Sequence, residues 1–159
     1  MTDVSAAQDT RPQMALLAQY LKDASFESPN TPASLAPGEP SPQIEVTVDI
    51  QAKPMGENRY EVALRTTATA KRGDRTAFVA EVVYAGFFEL RNFPMEHRQA
   101  ICLTECPRLI FPFARRVIAD MTRDGGFPPL LIDPIDFTTM YQQQLAAAEA
   151  QASQPAETA

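Results

Sequence analysis

The sequence predicts an α+β fold in which an antiparallel sheet is followed by helices, and three patterns carry that reading. Apolar residues alternate with polar ones over 44–50, 60–64 and 78–84, the period of half-buried strands. Beyond residue 105, apolar residues instead recur at three- and four-residue spacing, the period of a helix lying on a core. At 159 residues and 45% hydrophobic, the chain can enclose one domain's core.

Residues 1–13 are polar and read as a flexible N-terminal segment. Met14-Ala-Leu-Leu-Ala-Gln-Tyr-Leu has helical propensity, but alternation takes over from Lys22. There Ala24 and Phe26 oppose Asp23, Ser25 and Glu27. Residues 28–43 hold five of the 14 prolines, at 29, 32, 37, 40 and 42. Proline fixes φ and removes a donor, so this is an extended crossover. Three strands follow, with Ile44, Val46, Val48 and Ile50 facing one way. Tyr60, Val62 and Leu64 share that side, as do Phe78, Ala80, Val82 and Tyr84. Gly56 and Gly73-Asp74 supply the turns.

Asn92 is placed to cap the first helix, whose first turn tolerates Pro94, and Pro107 and Pro112 should kink or break its continuation. Ile110, Phe113, Ala114, Val117, Ile118 and Met121 form an apolar stripe that Gly125-Gly126 ends. Asp136 caps a last helix carrying Phe137, Met140, Tyr141 and Leu145 on one side. Residues 14–150 thus form a single domain, with 151–159 a disordered tail.

Twenty acids against fourteen bases give a net charge of −6, which repels phosphate backbones and favours basic protein segments. No 18-residue apolar run and no signal-peptide pattern is visible, which leads us to expect a cytoplasmic protein. His97, Cys102 and Cys106 do not have zinc-knuckle spacing, and they read as two reduced helix thiols beside a surface histidine. Asp133 and Asp136 could be an acid/base pair, yet both stand where helix starts prefer acids. No phosphate loop, nucleophile elbow or dinucleotide fingerprint occurs. We therefore expect no enzyme, no metal and no cofactor.

Two features remain. Alternation sends Glu45, Asp49, Glu61 and Glu81 to the sheet face away from the apolar set, joined by Asp23 and Glu27, with Arg65 the main offset. Helices on one side of a single sheet also leave apolar surface over, around Ile101, Leu103, Cys106, Leu109 and Ile110. Surplus of that kind marks association.

Between Cys106 and Phe137 the chain reads CPRLIFPFARRVIADMTRDGGFPPLLIDPIDF. Its CPRLIFPFAR run, Gly-Phe-Pro-Pro-Leu turn and Pro-Ile-Asp-Phe helix start resemble the SecB family of bacterial export chaperones. The stretches beginning at Asp23 and Thr76 match as well, so the resemblance covers roughly 15–145. It implies that residues 14–28 are a first strand, giving a four-stranded antiparallel sheet with helices on one face, assembled as a dimer of dimers. It implies an ATP-independent chaperone that holds unfolded precursors and delivers them to the motor SecA. Asp23, Glu27, Val79 and Glu81 stand at the family's SecA-binding positions, where the zinc belongs to the partner. Phe26, Phe127, Leu130, Met140 and Tyr141 are the residues expected in a client groove. A holdase dedicated to one labile partner, of the toxin–antitoxin type, and a small-molecule enzyme using Asp133 and Asp136 are the alternatives.

Overall fold

The computed structural model describes residues 8–153. Strands β1 (Gln13–Glu27), β2 (Gln43–Pro54), β3 (Arg59–Arg72) and β4 (Arg75–Arg91) form one antiparallel sheet in the order β1-β4-β3-β2. Two hairpins build β2-β3-β4. The second turns on Gly73, whose φ of +60° lies in the left-handed region glycine tolerates. The proline-rich crossover, with one 3-10 turn at Ala33–Leu35, carries the chain from one edge strand to the other.

The strand β1 explains its own helical look. Its register against β4 shifts between Leu16 and Ala18 and again between Leu21 and Asp23, so Leu17 and Lys22 are extra residues. Each bulge resets which face the next side chain takes. Met14 and Leu16 oppose Leu90 and Phe88 on the inner face, whereas Ala18 opposes Phe87 on the outer one. The two resets put positions 14, 16, 19, 21, 24 and 26 on the inner face, spaced alternately by two and three, which hides the strand's period of two.

Helix α1 (Met95–Leu103) and helix α2 (Glu105–Asp124) meet at Thr104, whose backbone leaves helical geometry at φ −125°. Pro112 lies inside α2, and the break falls before Pro107 rather than at either proline. Asn92 does not cap α1. Its φ of +62° and its side chain, which donates to the carbonyls of Asp9 and Arg11, make it the corner that ties the start of the chain to the end of β4. The part of the expected flexible N-terminal segment before residue 8 lies outside the described residues, as does the tail beyond Ser153.

Helix α2 lies over β4 and β3 and makes the core with them: Val62, Leu64, Phe88, Leu90, Ile110 and Ile118 are all sealed from solvent. Gly86 allows this close approach, since a Cβ there would lie 2.5 Å from the Phe88 ring and 3.1 Å from Ile110. Phe113 departs from the expected stripe. It is 42% exposed and stacks on Tyr84 at a centroid distance of 5.9 Å. Helix α3 (Phe137–Ala152) starts as expected at Asp136, whose carboxylate accepts from the Thr139 backbone N–H at 3.0 Å.

Candidate functional site

Helix α2 lies over β3 and β4 and helix α1 reaches only the far end of β2, so the first half of β2 is left uncovered and creates the first candidate surface. Ile44, Val46, Val48 and Ile50 point to the helix side as the alternation requires. Ile44 and Val46 nevertheless stay 42% and 37% exposed because no helix covers them. Facing this row across a gap runs the irregular segment 126–136.

Its backbone cannot form a helix or strand through Pro128, Pro129 and Pro134. Side chains hold it instead: Phe127, Ile132 and Phe137 are buried anchors. Thr122, fully buried on α2, accepts the Leu130 N–H at 2.9 Å while its own hydroxyl lies 3.0 Å from the Ile118 and Ala119 carbonyls. That hydrogen bond sets the position of Leu130.

The gap contains two hollows. One, of about 420 Å³, is bounded by the crossover at Leu35 and Pro42, by Ile44, and by Phe78, Phe127 and Leu130. The other, of about 530 Å³, continues along Ile44, Val46 and Val48 against Leu130, Ile135 and Met140. Ile44 and Leu130 line both, so the hollows join into one trough. From Ile44 to Val48 its β2 wall runs roughly 14 Å, at ~3.4 Å per residue. Such a wall suits about four or five residues of extended peptide.

Of the five groove residues expected from sequence, Leu130 and Met140 line this trough half-buried. Phe127 is only 6% exposed and serves as floor. Phe26 stacks on Phe78 at 5.7 Å and covers the end of α2, where a Cβ on Gly125 would meet its ring at 2.4 Å. Tyr141 is half-buried and lines neither hollow. Alternation alone sets Ile44, Val46 and Val48 on the same face as Phe78 and Val82 and does not separate them from that buried set. The signal that could have separated them is their place on a strand joined by a long crossover, hence at an edge.

The outer sheet face is the second surface. Register sets Glu27 directly opposite Val79, Ser25 opposite Glu81, and Asp23 opposite Val83, so the four expected contact residues form one patch at one end of the sheet. Within it Glu81 is paired with Arg65. Asp23 and Glu27 are exposed, and neither has an ion-pair partner among the described residues. Arg65 is not the main offset. Lys22 pairs with Glu61 at 2.8 Å, and Arg59 and Arg91 both pair with Glu89, so most neutralisation occurs toward the other end.

Tyr20 also donates to Glu61. Burial and that carboxylate push the Tyr20 phenol up to about 12, while the Lys22 ammonium and the Tyr20 hydroxyl hold Glu61 below its ordinary value. A raised phenol pKa means the fold favours the neutral ring. Its contribution is complete below ~10, the unfolded value, and is lost as pH rises through the folded one. Titrating phenolate absorbance should find one late tyrosine near the folded value, and Glu61→Gln should bring it down.

The surplus helix surface divides differently from expectation. Leu109 is exposed and Ile101 and Leu103 are half-buried, but Cys106 and Ile110 are fully enclosed within the chain. The break at Thr104 rotates the start of α2 so that both point into the sheet. Exposed apolar area is added instead by Leu16, Leu17 and Leu21 on the β1 edge and by Phe113.

As for acid/base chemistry, Asp136 is engaged by Thr139 through both its backbone N–H and its hydroxyl. Asp133 lines the open trough without it. Among the described residues no helix is long and apolar enough to cross a membrane.

Comparison with known proteins agrees with this geometry. The family model for SecB, preprotein translocase subunit SecB, matches residues 7–148. The protein-export protein SecB of Maricaulis maris is 52% identical over 144 residues, covering 91% of this chain and 83% of that one. That of Rhodopseudomonas palustris strain TIE-1 is 49% identical over 140 residues, covering 88% and 89%. Among solved structures, a Mycobacterium tuberculosis SecB-like chaperone in complex with an antitoxin peptide superposes with a TM-score of 0.60 at 17% identity. The superposition covers 79% of this chain and 92% of that one.

Proposed function

This chain belongs to the SecB family and serves as a chaperone in protein export, and on that premise we propose how its two surfaces divide the work. The trough along β2 holds apolar segments of unfolded precursors; the acidic patch on the outer face receives SecA. The observation that carries this reading is the apolar row of exposed Ile44 and Val46 with half-buried Val48, left uncovered by helices on the far side of the sheet from Asp23 and Glu27.

Magnitudes dictate how such a trough must bind. Burying ~500 Å² of client apolar surface contributes roughly 12 kcal/mol gross. Ordering ten client residues costs on the order of 10–20 kcal/mol in backbone entropy. One short, fully ordered segment gains little, so several segments sharing one tether must bind loosely and together. A dimer of dimers multiplies troughs in this way. The exposed β1 edge with Leu16 and Leu21, and Leu109 and Phe113 beside it, supplies surface for that assembly. Binding the unfolded chain opposes its folding by mass action and needs no nucleotide. The setting is the cytoplasm, before translocation. The half-identical relatives named for protein export favour this role over a holdase for one labile partner.

The test separates the two faces. Asp23→Lys with Glu27→Lys reverses the two carboxylates that have no ion-pair partner, leaving the Arg65–Glu81 pair intact. SecA affinity should fall on the order of tenfold, with capture of a slow-folding client unchanged. Equal loss of both activities, or of neither, would reject the division of labour.

A further inference from the structure

The crossover end of the trough differs in charge from the rest of a chain whose net charge is −6. A hollow of about 490 Å³ opens there between the β3–β4 hairpin and the crossover. Ser34, Glu39, Ser41 and Arg72 line both this hollow and the neighbouring one that begins the trough, so the two are continuous. Lys71, Arg72 and Arg75 bring three positive charges to its wall against the single carboxylate of Glu39. None of these four side chains has an ion-pair partner among the described residues.

The wall is braced by the chain itself. Arg72 donates from Nε to the Pro40 carbonyl and from Nη1 to the Ser34 carbonyl, which fixes the crossover against the end of β3. Asn30 donates to the Thr76 carbonyl at 2.8 Å and ties the start of the crossover to β4. Both Arg72 bonds end on backbone oxygens, so they hold the guanidinium in place without neutralising it. Ser34 is 4% exposed, and its buried hydroxyl has no hydrogen-bond partner among the described residues. A buried hydroxyl without a partner is costly, and here it stands beside a guanidinium whose charge is unmatched.

We propose that this hollow takes a carboxylate of the client, an aspartate or glutamate flanking the apolar run that lies in the trough. The inference rests on the trough as client site and adds a charge preference to it. An ionised carboxylate is acceptor-only, which suits a wall of donors: Ser34 and Arg72 within, exposed Lys71 and Arg75 at the rim. At the opposite end Asp133 lines the far hollow, so the two ends of the trough differ in sign and an acid is favoured at the crossover end. Apolar contact is non-directional. A fixed charge at one end gives the bound segment a polarity.

The experiment measures the affinity of the full chain for labelled peptides by fluorescence anisotropy. One peptide is an apolar run with glutamine at both ends; two others carry glutamate at one end or the other, and all have blocked termini. At least one glutamate peptide should bind about threefold tighter than the glutamine peptide at low salt, and the gain should shrink as salt is raised. Lys71→Gln with Arg75→Gln, both exposed and outside the bonds that brace the crossover, should erase the gain. Lys22→Gln with Lys53→Gln makes the same change in net charge on the outer face and should leave it. Equal affinity for all the peptides would overturn the site, as would a gain that survives the rim pair or one that the outer-face pair removes equally. The trough reading fails in a different way: even the glutamine peptide would not bind, or would bind Ile44→Asp undiminished, and the carboxylate site would fall with it.

Discussion

Placing a charge on each wall of the trough, Ile44→Asp with Leu130→Asp, should lower affinity for an unfolded client by at least about tenfold while SecA affinity holds. Each carboxylate would have to be stripped of water by any apolar segment entering, a cost of several kcal/mol that loose binding cannot absorb. The fold itself should tolerate the change. Ile44 is already 42% exposed and Leu130 is half-buried, so neither aspartate is forced into a sealed core. Leu130 keeps its backbone bond to Thr122 whatever its side chain. The measurement is suppression of aggregation of a slow-folding protein, alongside light-scattering mass to show that assembly persists. Undiminished capture by an intact assembly would place the client elsewhere.

That trough was half legible in the sequence. Alternation told correctly which side Ile44, Val46 and Val48 face, because side-chain direction in a strand is a local property. It could not tell that the helices leave the first half of β2 bare, because coverage is set by the crossing of α2 over β3 and β4 and by α1 reaching only the far end of β2. The same limit explains Cys106 and Ile110. Their apolar character was plain, but whether they faced in or out hung on a helix break at Thr104 that no proline marked. Strand β1 failed in the opposite way. Its first residues have helical propensity, two bulges hid the alternation that would have countered it, and only resemblance restored the strand. The outer face came out best. Asp23, Glu27, Val79 and Glu81 gather where strand period and family pattern together placed them, since a bulge at Lys22 comes before Asp23 and leaves 23–27 in regular register with β4.

Phe78→Ala should be the most destabilising single change near the trough, costing ~3–5 kcal/mol. Phe78 is 2% exposed on β4, and its ring stands 5.0 Å from Phe127 and 5.7 Å from Phe26. Deleting it removes the shared partner of both, one anchoring segment 126–136 and the other closing the end of α2. The cavity could not fill by simple collapse, because β4 is fixed between β1 and β3. At roughly 2–4 °C per kcal/mol for a chain of this length, Tm should fall on the order of 10 °C. Function should fall with it at temperatures where the chain is still folded, since Phe78 and Phe127 also floor the first hollow. Phe78→Leu makes the argument sharp: it refills much of the volume and should recover most of the stability. A urea midpoint barely moved by Phe78→Ala would mean that core and client surface do not share this cluster. A Phe78→Leu variant stable yet poor at capture would mean that the aromatic faces themselves, and not merely a filled floor, set the shape that unfolded chains meet.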